Sequence, residues 1–389
     1  MQTLYEKICT CAVFYRVTEQ PLFRAFERYC RAENGAEKRR AYSAFVREIY
    51  ENGGSLTELV SRLVFEDENA YIKAVAKGRE ADVKVRDSAK RELAIFSAFA
   101  SLTRADFALD MGLEAMELSD FRSVNAYLYP TYEERLKNVG KYGYGIFSAS
   151  GMFRLSDEKE ICPIVSADET QTDDFVGYEE EREKVFANTR AFVAGKPAAN
   201  ALLCGDAGTG KSSTVKAAAN AFFSEGVRLI EIRKDQLSHL PLVMAKISGN
   251  PLKFILFIDD LSFGKNDDSF SMLKAVLEGS ASVTAKNAVI YATSNRRHIV
   301  KESFSDRDGD DVHINDTLQE TLSLSERFGL VVHFSKPSKA LYLEIVQKLA
   351  QKRGVQMEEE ELYRRAEEFA LRKGSRSARC AKQFIDSLL

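Results

Sequence analysis

The eight residues Gly205-Asp-Ala-Gly-Thr-Gly-Lys-Ser212 constrain this chain more than any other stretch. They follow directly on an apolar run, Ala201-Leu-Leu-Cys, and lead into Ser213-Thr-Val-Lys-Ala-Ala-Ala, which favours helix. Glycines let a backbone wrap an anion, and the start of a helix offers unpaired N–H groups at the positive end of its dipole. The G-x-x-x-x-G-K-S pattern between a strand and a helix therefore predicts a phosphate-cradling loop. Gly205, Asp206, Ala207, Gly208, Thr209, Gly210, Lys211, Ser212 and Ser213 are the residues expected to line it. In that role Lys211 reaches the β- and γ-phosphates of ATP and Ser212 holds Mg2+. The bland alternative is a glycine turn without a ligand, and the flanking strand and helix argue against it.

Around this loop, apolar runs alternate with helix-forming stretches. Arg228-Leu-Ile-Glu-Ile, Phe254-Ile-Leu-Phe-Ile and Ala288-Val-Ile-Tyr-Ala read as strands, and a helix is expected through Glu181 to Val193. Continuous apolar strands separated by helices predict a parallel sheet covered on both faces. Such sheets bind ligands outside the carboxyl ends of their strands. The second of these runs ends in Asp259-Asp260, so both carboxylates are expected at that edge. Asp259 is expected to accept hydrogen bonds from Mg2+-bound water or Ser212, and Asp260 to orient or deprotonate an attacking water. Taken alone, two carboxylates after a core strand are more simply a turn or a helix cap. The glycine loop gives them a function.

With these residues in place, the chain resembles the AAA+ ATPase superfamily. More closely, Phe257-Ile-Asp-Asp-Leu-Ser-Phe263, Tyr291-Ala-Thr-Ser-Asn-Arg-Arg-His298 and Ser323-Leu-Ser-Glu-Arg-Phe-Gly329 are similar to a bacterial family of stand-alone AAA+ proteins catalogued as a domain of unknown function. The resemblance spans residues 173–389. It implies that Asn295 is the sensor-1 residue facing the γ-phosphate, and that Arg327 is an arginine finger reaching the ATP of a neighbouring subunit. It also implies a sensor-2 arginine within Gly374-Ser-Arg-Ser-Ala-Arg379, with Arg376 the first choice and Arg379 the second, and an adenine-cupping segment at Phe175, Val176, Gly177 and Tyr178. Each has a plainer reading: Asn295 as a cap, Arg327 as a surface residue before a strand, the two arginines as a solvated helix face, and Phe175 and Tyr178 as packing. Two departures matter. The usual second carboxylate is glutamate, whereas Asp260 is one methylene shorter, which points to slow hydrolysis or to a share of the task for Glu278. The stretch Lys234 to Ser248, KDQLSHLPLVMAKIS, lacks the aromatic-hydrophobic-glycine loop of protein-threading unfoldases, and the loop of sigma-factor activators is missing too.

Before residue 140 the chain reads as helices. Tyr42, Phe45 and Ile49 share one helix face, Asn52-Gly53-Gly54 ends that helix, and Ser55 with Glu58 opens the next as a capping box. Leu93, Phe96 and Ala100 mark a further helix. Between residues 127 and 151, tyrosines alternate with glycines, which reads as packing at a domain junction rather than a base-stacking platform. Gly151-Met-Phe-Arg-Leu, then Ser156-Asp-Glu-Lys-Glu, then Ile161-Cys-Pro-Ile-Val read as strand, turn and strand, and residues 166–174 as a polar linker. The expected organisation is a mainly helical N-terminal domain at 1–140, a junction and linker at 141–172, an α/β P-loop NTPase core (a parallel sheet flanked by helices) at 173–335, and a helical lid at 336–389.

A formal net charge of -3 creates no global field for nucleic acid, though Arg296-Arg297-His298 could touch a phosphate backbone locally. The six cysteines and four histidines show no metal-ligand spacing, and the aspartates at 306, 308, 310 and 311 lack full calcium-loop spacing. The N-terminus lacks the pattern of a secretion signal, and no apolar run approaches the roughly 18 residues of a membrane span. The expected setting is the cytoplasm. Three functions fit: an oligomeric ATPase working on a protein or nucleic-acid client, a nucleotide-gated loader or adaptor with little turnover, and a small-molecule kinase.

Overall fold

The computed structural model describes residues 1–164, 176–261, 268–278, 285–295 and 326–389. The chain forms two compact units, Met1–Ala149 and Ser150–Leu389.

The first unit is helical. Tyr42, Phe45 and Ile49 are buried along Gly35–Glu51, and Leu93, Phe96 and Ala100 along Val83–Ala100. Asn52 caps the former helix, and Gly53 and Gly54 take positive φ after it. The Ser55 side chain then accepts the N–H of Glu58 at 3.3 Å. Phenylalanines at 14, 23, 26, 45, 96, 99 and 107 stack edge-on or tilted through the core. Tyr132 and Tyr144 are buried in this same core, while Tyr127 is 79% exposed. Glu92 is fully buried, and its carboxylate accepts the backbone N–H groups of Ala12, Val13 and Phe14 at 3.0–3.2 Å. It ties the N-terminal turn to the helix Val83–Ala100.

The second unit is built on a seven-stranded sheet in the order β2-β1-β4-β5-β6-β3-β7. The strands are β1 (Met152–Leu155), β2 (Ile161–Pro163), β3 (Ala201–Gly205), β4 (Val227–Glu231), β5 (Lys253–Ile258), β6 (Ala288–Ser294) and β7 (Leu330–Phe334). All pairings are parallel except β1 with β2. The sheet thus takes in β1 and β2, which the sequence places in a junction ahead of residue 173. Ile255 to Ile258 are fully buried, as expected of a strand covered on both faces.

Register positions the site. Cys204 of β3 lies opposite Ser294 of β6, and Ile258 of β5 opposite Ala292 of β6, so residues 205, 259 and 295 leave the sheet at one edge. Three helices, Lys339–Arg353, Glu359–Lys373 and Ala378–Asp386, make the lid around their own core of Tyr342, Val346, Ala366 and Ala381. The lid touches the glycine loop directly: the N–H of Arg379 donates to the carbonyl of Gly208 at 3.1 Å.

Two outcomes follow from the packing. Gly205 has φ +138, and a Cβ there would lie 2.0 Å from the Phe334 carbonyl oxygen, so Gly205→Ala should lower unfolding stability. The loss should be about 2 kcal/mol or more in urea titration. Glu92→Ala strands three backbone donors and should cost the first unit about 2–4 kcal/mol in the same measurement.

Candidate functional site

The glycine loop leaves β3 and turns into the helix Lys211–Ala221. Gly208 and Gly210 have φ of +78 and +96, a region costly for any residue with a Cβ. Lys211 is 5% exposed, and its ammonium donates to the carbonyls of Gly205 (2.9 Å) and Asp206 (2.8 Å) and to Asn295 Oδ1 (3.0 Å). Burial pulls its pKa below the ordinary lysine value, against the opposing pull of Asp206, Asp260 and Asp259. The three bonds occupy all three donor positions of the ammonium.

Ser212 Oγ donates to Asp259 Oδ1 at 2.6 Å. Asp260 sits at φ +51, and its side chain accepts from Asn295 Nδ2 at 2.7 Å. Asn295 thus joins Lys211 to Asp260 through one amide. The buried Thr293 bonds to both aspartates: its Oγ1 donates to Asp259 Oδ1 at 2.5 Å and accepts the N–H of Asp260 at 2.9 Å. Thr293 escaped the sequence reading. The signal was its spacing, because residues two apart on a strand share a face, and Thr293 is two before Asn295.

These groups open onto a cavity of about 1280 Å³. Val176, Tyr178, Ile345, Leu349 and Ile385 supply apolar walls, and Arg379, Lys382, Lys352 and Arg353 bring cationic side chains from the lid. Of the predicted adenine segment, Val176 and Tyr178 line the cavity, with the Tyr178 hydroxyl donating to the Ser335 carbonyl at 2.6 Å. Gly177 backs onto the lid, where a Cβ would meet Leu341 at 2.8 Å. Phe175 lies outside the described residues, as do the basic Arg296-Arg297-His298, His313, the acidic loop at 306–311 and the linker 166–174.

Two expected residues are bonded outside the cavity. Arg376 does not line the cavity: its guanidinium is paired with Glu367 of the lid at 2.9 and 2.7 Å, whereas Arg379, three residues on, does line it. Ser377 is the N-cap of the helix Ala378–Asp386, so Arg376 lies ahead of the helix and Arg379 in its first turn. Glu278 does not line the cavity either. It accepts from Arg327 Nε at 2.6 Å, so the acidic residue proposed to share Asp260's task is bound instead to the expected finger.

A parallel α/β sheet with this glycine loop beside its acidic strand end, with a helical lid against the loop, defines an α/β P-loop fold. The chain belongs to the family described as Protein of unknown function (DUF815), whose model matches residues 148–389. No curated protein matches it. Among solved structures, the Thermotoga maritima RuvB Holliday junction branch migration motor is 12% identical, covering 56% of this chain and 72% of that one, with a TM-score of 0.35. A variant of the same motor is 14% identical, covering 57% of this chain and 73% of that one, with a TM-score of 0.34. Among the described residues, no helix is long and apolar enough to cross a membrane.

The contrast between the two arginines is measurable. Arg379→Ala should weaken pyrophosphate binding in calorimetry about tenfold, the loss of one charge-assisted contact, while Arg376→Ala should leave it within about twofold.

Proposed function

We propose that this protein binds Mg2+ and ATP in the cavity beneath the lid and hydrolyses ATP between subunits, using the cycle to change the conformation of a macromolecular partner. The observation that carries this reading is the convergence of Lys211, the Ser212–Asp259 pair and the Asp260–Asn295 pair in a cavity whose other walls combine apolar side chains with cationic ones from the lid. Aliphatic walls and the Tyr178 ring suit the adenine, and the loop with Arg379 suits the triphosphate.

The residues fit Mg2+. That ion takes hard oxygen donors, keeps several waters and is held by one or two protein groups together with phosphates. Ser212 Oγ and the Asp259 carboxylate supply such donors side by side. Bound there, Mg2+ neutralises charge on the β- and γ-phosphate oxygens. The chain's own residues do the rest. Lys211 exchanges its contact with Asn295 Oδ1 for a phosphate oxygen. That exchange frees the Asn295 amide to turn toward the γ-phosphate. Asp260, released from Asn295, orients the attacking water and takes its proton. Arg327, which pairs with Glu278 and is not among the residues lining this chain's cavity, is assigned to the neighbouring subunit's site. Reaching that site breaks its partly exposed pair with Glu278, at a cost of about 1 kcal/mol or less. A homo-oligomer is therefore part of this reading.

A second reading draws on one specific contact. In the chain as it stands, Asn295 clasps Asp260, and Asp260 is shorter than the usual glutamate. Both favour a nucleotide-gated loader or adaptor with little turnover. Neither reading is a threading machine. The stretch after β4 forms a turn at Lys234–His239 and the helix Leu240–Ile247, with Leu237, Leu240, Val243 and Ile247 buried.

Steady-state hydrolysis measured against protein concentration separates the readings. Specific activity should rise with concentration, and Lys211→Ala and Arg327→Ala should each abolish it. An equimolar mixture of the two variants should recover about a quarter of wild-type activity, since random assembly pairs an intact site with an intact finger that often. No recovery on mixing sinks the shared site. Tight ATP binding without turnover selects the switch.

A further inference from the structure

We propose that Thr293 is a positioning residue that decides which oxygen of Asp259 faces the bound metal. The inference rests on the Mg2+ and ATP reading above and deepens it.

The argument begins with proton bookkeeping at one hydroxyl. Thr293 Oγ1 lies 2.9 Å from the backbone nitrogen of Asp260 and 2.5 Å from Asp259 Oδ1. The backbone N–H can only donate, so the hydroxyl accepts there, and its single proton goes to Asp259 Oδ1. That same oxygen also accepts from Ser212 Oγ at 2.6 Å and from the Asp260 N–H at 3.1 Å. Three donors saturate Oδ1. Among the described residues none bonds to Oδ2, which leaves Oδ2 as the oxygen that takes a metal-bound water. Ser212, with its proton committed to Asp259, turns its lone pairs toward the same metal.

Thr293 also holds the turn that presents the carboxylates. Asp260 has φ +51, an unfavourable conformation for a residue with a Cβ. Its N–H is held by the Thr293 hydroxyl, and the next N–H, of Leu261, donates to the Thr293 carbonyl at 2.7 Å. One buried residue of β6 thus secures both aspartates after β5. If Thr293 only filled space, valine, with the same shape, would serve equally well.

The test is the affinity of the full-length protein for ATP, measured by calorimetry with EDTA and then across a Mg2+ titration, for wild type, Thr293→Val and Thr293→Ser. Thermal melting checks that each variant is folded. Thr293→Val should keep the Mg2+-free affinity but need about 10–100-fold more Mg2+ to reach the tighter state, the usual consequence of losing a residue that orients a metal ligand. Thr293→Ser, which keeps the hydroxyl, should follow wild type. An unchanged Mg2+ midpoint in Thr293→Val overturns the proposal. So does equal damage in both variants, or loss of Mg2+-free binding or of folding in Thr293→Val, each of which marks a purely structural role. Failure of wild type to bind ATP under either condition removes the nucleotide reading itself, and this inference with it; that result is visible before any variant is made.

Discussion

Every functional contact in the second unit depends on the parallel pairing of β5, β6, β3 and β7. Parallel strands send their carboxyl ends to the same edge, and the crossovers between them must return over the faces of the sheet. The glycine loop, the acidic pair and Asn295 come from three strands separated by dozens of residues in sequence. They meet because Cys204 lies opposite Ser294 and Ile258 opposite Ala292. A slip of one residue in either pairing would turn Thr293 to the other face and part Asp259 from Ser212.

At that edge the chemistry is a matter of satisfied charges. Lys211 is buried, and burying an ammonium is costly unless it is hydrogen-bonded. Two loop carbonyls and Asn295 meet that need. Asp259 and Asp260, close together and both exposed, are separated in role by their donors: Ser212 and Thr293 for the first, Asn295 for the second. These donors hold the ammonium and both carboxylates in fixed positions, which is the arrangement that makes charged groups effective in a site. Because Asn295 serves both Lys211 and Asp260, a ligand that engages the lysine also disturbs the acid.

Much of this was legible from local pattern. The loop is written in consecutive residues, and the strand ending in Asp259-Asp260 announces itself by hydrophobicity. Asn295 could be named because it ends an apolar run. The choice between Arg376 and Arg379 could not be made this way. Both sit in one short motif, and only the start of the helix at Ser377 and the carboxylate of Glu367 decide that one is tied within the lid and the other faces the cavity. The Glu278–Arg327 pair was not legible for a related reason, since the two residues lie 49 apart in sequence. That Tyr132 and Tyr144 pack into the first unit's core was not legible, because aromatic residues pack equally well into cores and interfaces.

The amino-acid sequence by itself determined the phosphate loop, the alternation of strands and helices, the pair of carboxylates and the helical character of both ends. These follow from backbone freedom, hydrophobic period and residue chemistry, which are local properties. Only the tertiary structure decided that β1 and β2 join the sheet, that Arg379 rather than Arg376 reaches the cavity, that Arg327 is held by Glu278, and that Thr293 stands behind both aspartates. Each of these depends on strand register or on which way a helix face turns, and both are fixed by contacts between residues far apart in the chain.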